Sequence, residues 1–275
     1  MNLHPIDRLE ISLSRRGTSV GALPDVLQID DVPTAAEYIG VLWFWRQRTN
    51  CSGLGTTDAR AVREFLRLAR GFEMIIPELA DIQTSGDAGK NHCGVIQLPP
   101  LGSNEWLPGG SVLTFQERFR AALRVTSISR EFSYALTGAL GEMASNAVEH
   151  ADSPASPIAS FEVTSSTWSF GVTDVGRGAL ASLRENPEFS CLEGETEALD
   201  TVLREGVSRF AQPGRGHGFS HVFKSLVDRR ASLRFRSGGA STAWEGHSPT
   251  AQVIHSRGLP VSRSGFHVRI AGPTR

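Results

Sequence analysis

Three residues whose side-chain types can take part in chemistry, Glu142, Asn146 and His150, are spaced four residues apart in the stretch GEMASNAVEHA, residues 141–151. On a helix, side chains at this spacing form a column beside the apolar face. A carboxylate in such a column can act as a general base on water or a hydroxyl group. An amide oxygen one turn away can bind Mg²⁺, which prefers oxygen ligands and keeps several waters. The alternative is a solvated flank, because acids and amides are common on helix surfaces.

A second motif, Asp174-x-Gly176-x-Gly178, follows the apolar stretch TWSFGV. Two alternate glycines let the backbone approach a flat ligand closely. A carboxylate at the edge of that surface can accept a hydrogen bond from an exocyclic amine such as that of adenine. Taken alone, the motif is equally compatible with an ordinary turn after a strand.

A third motif is the glycine-rich loop GRGHGF, in which Gly214, Gly216 and Gly218 precede a predicted helix. Backbone N–H groups of such a loop at a helix N-terminus form an anion site that suits phosphate groups. The alternative is a tight turn. His217 and His221 have the H-x-x-x-H spacing of zinc ligands, but no acid lies between them and no third ligand is near in sequence, so a zinc site is disfavoured.

The elements that must position these motifs follow a predicted domain boundary near residue 112. Two turn-rich stretches, 84–92 and 99–111, surround the short predicted strand GVIQL. A helix in FQERFRAALRV comes next, and then a longer one from about Ser129 to Ala151. The apolar residues of the longer helix recur at helical spacing and predict its buried face: Phe132, Leu136, Leu140, Met143 and Ala147.

The rest of the chain is rich in predicted strands. IASFEVTS and TWSFGVTD meet at a polar SST turn, and a long polar segment, 179–213, contains a predicted helix at TEALDTVLREGV. The last strands are predicted around LRFRS, STAW, AQVIH and FHVRI. Helices followed by a run of adjacent strands predict a two-layer α+β sandwich.

Composition limits the classes of partner. The chain has 275 residues and a net charge of -1, which gives no electrostatic case for nucleic acid or an anionic membrane. Three cysteines without a CxxC spacing disfavour a disulfide framework and a thiolate zinc site. The start MNLHPIDRLE has no signal-peptide features, and the longest apolar run, YIGVLWFW, is too short to cross a bilayer. A cytoplasmic protein is expected.

The three motifs in this order resemble those of the GHKL ATPase superfamily of gyrase, heat-shock chaperone, histidine-kinase and mismatch-repair ATPases. The segment EMASNAVEHA is most similar to the E-x-x-x-N-A-x-x-H-A motif, the N box, of histidine-kinase-like and anti-sigma-factor ATPases. The resemblance covers residues 113–275. It implies a two-layer sandwich with helices on one face of a mixed sheet, ATP and Mg²⁺ as cofactors, and a lid over residues 179–213.

The resemblance also implies a role for each motif residue. Glu142 would be the general base, Asn146 would coordinate Mg²⁺, and His150 would lie near the phosphate end of the same helix face. Asp174 would bind the adenine amine. The remaining residues would close against the base or contact the phosphates: Gly176 and Gly178 for the base, and Gly214, Arg215, Gly216, His217 and Gly218 for the phosphates. Arg215 either adds positive charge near the γ-phosphate or faces solvent.

One departure from the family pattern concerns a late strand. Members commonly have a Gly-Thr pair there, whose hydroxyl group helps to hold the adenine. This chain has RSGFHVRI, with Phe266 in place of the threonine. Either Ser264 substitutes for the missing hydroxyl group or the contact is absent.

The N-terminal residues 1–112 predict a smaller α/β domain. LEISLS and DVLQID are predicted strands, and PTAAEYIGVLWFWRQ and DARAVREFLRLARGF are predicted helices. This part faintly resembles STAS-type domains, which act in protein–protein switching. The alternative is a family-specific extension that packs on the ATPase domain.

Several reactions are compatible with the expected ATP site. The chain is either an ATPase or a serine protein kinase similar to anti-sigma factors, and a non-hydrolysing ATP-dependent switch is the alternative. A typical histidine kinase is disfavoured, because His4 and His92 are not followed by an acid. The remaining hypothesis is an interaction module that binds no nucleotide. A protein partner, such as a STAS-type or sigma-factor-like regulator, is expected, and a homodimer is left open.

Overall fold

The computed structural model describes residues 92–153, 155–202, 231–245 and 256–275. In chain order these ranges form β1 (His92–Gln97), α1 (Ser111–Arg124), α2 (Arg130–His150), β2 (Ile158–Val163), β3 (Thr167–Thr173), α3 (Gly178–Leu183), α4 (Glu195–Val202), β4 (Ser232–Glu245) and β5 (Arg257–Pro273). The strands and helices predicted before β1, the glycine-rich loop with its helix, and the AQVIH segment lie outside the described residues.

Helix α2, which carries the first motif, begins and ends close to where the sequence predicts. Ser129 is its N-cap, and the Ser129 Oγ accepts a hydrogen bond of 3.2 Å from the N–H of Phe132. This bond satisfies one of the donors that a helix start leaves without an intrahelical acceptor. The five apolar residues predicted for its inner face are all buried. The buried face therefore fixes the rotation of the helix and leaves the motif column at its edge.

The described strands form one five-stranded sheet with the order β1-β2-β3-β5-β4. All four pairings between these strands are antiparallel. The expectation of a mixed sheet is therefore wrong for the described strands. The connection from β1 to β2 explains their antiparallel pairing. The chain leaves β1, passes through α1 and then α2, and enters β2 at the same end of the sheet at which β1 finished, with Gln97 opposite Ile158.

Helices α1 and α2 pack on one face of this sheet through aromatic side chains. Phe119 of α1 lies with its ring centroid 5.1 Å from that of Phe161 and 5.6 Å from that of Phe170. Phe132 of α2 meets Trp168 edge-on, with centroids 5.8 Å apart. Tilted aromatic pairs of this kind bury large apolar areas in favourable geometry. The α+β class predicted from the sequence is confirmed by these helices on their sheet.

The segment after the second motif is packed rather than loosely attached. Helix α4 confirms the described part of the helix predicted in this segment, whereas α3 was not predicted. Leu183, Leu192, Ala198 and Leu199 are all buried. Moving residues 179–202 as part of a lid would expose these side chains to water. The lid expected over 179–213 stays a prediction, and its last residues, 203–213, lie outside the described residues.

Strand β1 confirms the predicted GVIQL strand and bears on the expected domain boundary. It pairs with β2 over six residues, from His92 opposite Val163 to Gln97 opposite Ile158. Any unit that contains this sheet must therefore include β1, which precedes position 112. The N-terminal domain itself stays a prediction. No helix in the described part of the chain is long and apolar enough to cross a membrane.

Candidate functional site

The column of the first motif lies on α2 at the edge of the buried face. Glu142 is exposed, whereas Asn146 and His150 are half-buried. Successive steps of four residues rotate the column by about 40° each, which carries it from the solvent side towards the core. The carboxylate is therefore open to water, and the amide lies where the helix begins to meet its neighbours.

The second motif begins where β3 ends, at a buried carboxylate. Asp174 is only 3% exposed, and its Oδ1 accepts a hydrogen bond of 2.8 Å from the N–H of Gly176. Its backbone pairs with Phe266 of β5: the Asp174 N–H donates over 2.9 Å and the Phe266 N–H donates back over 3.3 Å. Backbone and side chain are both fixed, so the orientation of this carboxylate is set by the fold.

The first and second motifs meet at the C-terminal end of α2. The N–H of Arg177 donates to the carbonyl oxygen of Ala151 over 2.9 Å. A Cβ atom built on Gly176 would lie 1.9 Å from that same oxygen, far closer than atoms can approach. Only glycine fits at this position. From the sequence, the glycines were expected to allow the backbone to approach a flat ligand. At Gly176, the group that approaches closely is the end of α2.

Arg177 adds an ion-pair link between elements around the motif. Its Nη2 lies 2.5 Å from the Oδ2 of Asp152, just beyond the end of α2, and its Nη1 pairs with Glu185, just beyond the end of α3. The arginine side chain is 22% exposed. Sequence reasoning did not identify this residue, since an arginine between two glycines gives no indication of its partners.

Two further contacts hold the turn from the side of β4 and β5. Gly178 has a φ of 79°, and the following N–H, that of Ala179, donates to the buried Oγ of Ser237 over 2.7 Å. Gly265 has a φ of 91°, and a Cβ atom there would lie 2.3 Å from the carbonyl oxygen of Asp174. Positive φ values favour glycine at both positions. Ser237 was not predicted, because a single serine in a strand carries no motif.

Phe266, where the resemblance leads one to expect a threonine, lies directly opposite Asp174. Its ring is half-buried and packs edge-on against Phe235, with centroids 4.4 Å apart. A phenyl ring cannot donate a hydrogen bond, so Phe266 leaves this strand position apolar. The side chain of Ser264, the other residue considered for this contact, lies outside the described residues.

The third motif lies outside the described residues, so the structure does not place it relative to the other two. This applies to Gly214, Arg215, Gly216, His217 and Gly218, and also to His221. Within the described ranges, no three His, Cys, Asp or Glu side chains form a group that could hold a metal ion. The donors that α2 presents, the Glu142 carboxylate and the Asn146 amide, are oxygen atoms that suit Mg²⁺ with retained waters.

The chain was compared with models of known protein families and with curated proteins. No family model matches it, and no curated protein matches it. The functional argument therefore depends on the motifs and on the described geometry.

Proposed function

We propose that the chain is a GHKL-type protein that binds ATP with Mg²⁺ and uses the γ-phosphoryl group in hydrolysis or in transfer to a protein. The observation that supports it best is the junction at Ala151. There the helix that carries Glu142 and Asn146 is joined to the turn that carries Asp174, through the Arg177 hydrogen bond and the Gly176 contact. Two motifs that are about 30 residues apart in sequence form one structural unit, as a shared ligand requires.

The proposed base-binding end is the Asp174 turn. A carboxylate that is 3% exposed makes stronger hydrogen bonds than one in water, because the surrounding dielectric constant is low. The bond from the Gly176 N–H fixes its orientation before any ligand arrives. A carboxylate accepts hydrogen bonds and cannot donate them, so it favours the exocyclic amine of adenine over the carbonyl group of guanine at the same ring position.

The proposed phosphate end lies further back along α2. Asn146 and Glu142 precede Ala151 by five and nine residues, or about 8 and 14 Å along the helix axis. Asn146 would hold Mg²⁺, which when bound neutralises charge on the phosphates. The exposed Glu142 carboxylate can orient a water molecule or a partner's hydroxyl group and accept its proton. His150, half-buried on the same side of α2, would lie near the phosphate end, as the resemblance implies.

Two variants of α2 test this assignment through separate measurements. Asn146→Ala is expected to abolish Mg²⁺-dependent ATP binding, measured by calorimetry. Glu142→Ala is expected to retain binding and lose phosphate release from Mg·ATP. Glu117→Ala, which removes an exposed helical carboxylate from α1, is the matched control and should change neither. Wild-type protein that binds no ATP would refute the proposal, and unchanged binding by Asn146→Ala would refute the metal role.

The fate of the γ-phosphoryl group depends on which nucleophile reaches the in-line position. Because Glu142 is exposed to solvent, both water and the serine hydroxyl group of a partner can reach its carboxylate. Phosphate release that disappears in Glu142→Ala identifies an ATPase. ATP binding without release identifies either a protein kinase that lacks its acceptor or a non-hydrolysing switch. The partner class implied by the resemblance is a STAS-type or sigma-factor-like regulator in the cytoplasm.

A further inference from the structure

An exposed cationic patch lies where α1 ends and α2 begins, on the turns of α2 that precede the motif column. We call it the Arg-Tyr patch. Its centre is the ring of Tyr134, with the guanidinium carbon of Arg120 at 5.0 Å and that of Arg130 at 5.8 Å from the ring centroid. Arg124 completes it on the last turn of α1, and Val125 is the next residue, at the C-cap of that helix. Tyr134 is 46% exposed and Val125 is 70% exposed, so the patch offers both charge and apolar area to a partner.

The three arginines of the patch outnumber the two exposed acids beside them in the described part of the chain, Glu117 and Glu131. Arg120 and Arg124 are four residues apart on α1, where like charges repel by a few tenths of a kcal/mol. The acid recorded beside them, Glu117, is exposed and lies 4.0 Å from Arg120, a separation at which a surface ion pair contributes little. A hydrogen bond from Arg130 and the charges of the three arginines lower the pKa of Tyr134. The local potential is therefore positive although the whole chain has a net charge of -1.

We propose that the Arg-Tyr patch is a docking site for an acidic segment of a protein partner. Arginine and tyrosine are among the residues enriched where protein interfaces obtain their binding energy. Guanidinium groups bind carboxylates through paired, charge-assisted hydrogen bonds. The exposed Tyr134 and Val125 add apolar contacts that a carboxylate-bearing peptide can cover with aliphatic side chains. A patch of three arginines in a chain with no basic excess contacts few phosphates, which disfavours nucleic acid.

The position of the patch lets a partner dock without covering the proposed nucleotide site. Tyr134 precedes Glu142, the nearest residue of the proposed nucleotide site, by eight residues, which is about 12 Å along the axis of α2, and Asn146 by 12 residues, about 18 Å. The two sites therefore lie on one rigid element, separated by at least two helical turns. The docking proposal does not depend on ATP binding, so either one can fail alone.

Binding of a defined acidic peptide to the full chain tests the proposal. The probe is a fluorescein-labelled peptide composed only of Asp, Glu and Leu, and its anisotropy is followed at low salt. Arg124→Glu is expected to weaken binding by about tenfold or more, as loss of one charge-assisted contact requires. Arg275→Glu makes the same charge change at the exposed C-terminal residue and should weaken binding less than about twofold. Thermal unfolding of each variant verifies that the fold is intact.

A second pair of variants separates the ring from the charges. Tyr134→Ala removes the surface on which Arg120 and Arg130 lie and should weaken peptide binding severalfold, whereas Tyr134→Phe keeps the ring and should bind nearly as wild type. Absence of peptide binding by the wild-type chain, or equal losses in Arg124→Glu and Arg275→Glu, would overturn the proposal. An oligonucleotide or an anionic vesicle that competes at equal charge concentration would also overturn it, in favour of a general polyanion surface.

Discussion

Replacing Gly176 by alanine is the sharpest test of how the two motifs are joined. An added Cβ would lie 1.9 Å from the carbonyl oxygen of Ala151 and 2.4 Å from its carbonyl carbon. Both atoms belong to backbone at the end of α2, so a side-chain rotation cannot relieve the clash. The turn and the helix end must separate by roughly 1 Å or more before normal contact distances return.

The cost of this separation follows from the bonds that depend on it. The Arg177 N–H bond to Ala151 contributes about 0.5–1.5 kcal/mol. The bond from the Gly176 N–H to the carboxylate of Asp174 contributes about 1.5–3 kcal/mol, because its acceptor is charged. Overpacking adds about 1–3 kcal/mol. These contributions share one displacement and do not add fully. We therefore expect Gly176→Ala to lower the free energy of unfolding by about 3–5 kcal/mol.

Urea unfolding followed by circular dichroism measures this effect, with Gly138→Ala as the matched control. Gly138 lies inside α2, and a Cβ atom there meets no atom within 4 Å. Alanine is the better helix former, so this control should raise the free energy of unfolding by about 0.5–1 kcal/mol. A loss below about 1 kcal/mol in Gly176→Ala would refute the close packing of the turn on the helix. If the proposed function holds, the same variant also loses ATP binding.

Three further predictions concern two buried polar side chains, those of Ser237 and Cys93. Ser237→Ala should lower the free energy of unfolding by about 1–3 kcal/mol in the same urea assay, because the N–H at the start of α3 loses its acceptor; an unchanged midpoint would contradict this. Burial raises the pKa of the Cys93 thiol to about 12, whereas Cys191 is exposed. In a Cys51→Ser background, iodoacetamide at pH 8 should therefore alkylate Cys191 and spare Cys93, as mass spectrometry of the peptides will show. The free energy of unfolding, measured in the same urea assay, should fall above about pH 8.5, because there the Cys93 thiol ionises in the unfolded chain but not in the folded one.

The sequence was sufficient to predict elements whose periodicity is long and regular. Helix α2 has 21 residues, with an apolar stripe from Phe132 to Ala147 and a serine at its N-cap, and both signals agree with its bounds. Strands β2 and β3 are short apolar runs separated by a polar turn, which is the pattern of a hairpin. The column of Glu142, Asn146 and His150 could be placed on one side of α2 for the same reason. Local pattern determines these features, and the structure agrees.

Other features depend on contacts that no local pattern encodes. The alternation Leu233-Arg234-Phe235-Arg236 indicates a strand with one apolar face, but both arginines are less than 2% exposed. Arg236 donates to the carbonyl oxygens of Gly238 and Ala240, where the ladder between β4 and β5 shifts register. A buried arginine that binds backbone of its own strand has the same sequence pattern as one in solvent. Leu183, Leu192 and Leu199 are buried although they lie in the segment that the resemblance assigns to a lid.

The three glycines around Asp174 show how the candidate site is made rigid without a ligand. A Cβ atom on Gly176 is excluded by the end of α2, one on Gly178 by the Ser237 hydroxyl group of β4 at 2.8 Å, and one on Gly265 by the carbonyl group of Asp174 itself. Each glycine thus meets a different element, so the turn is held from three sides. A carboxylate fixed in this way loses little conformational entropy when it binds a ligand. If Asp174 binds adenine as proposed, the ordering cost of nucleotide binding therefore falls on parts of the chain other than this turn.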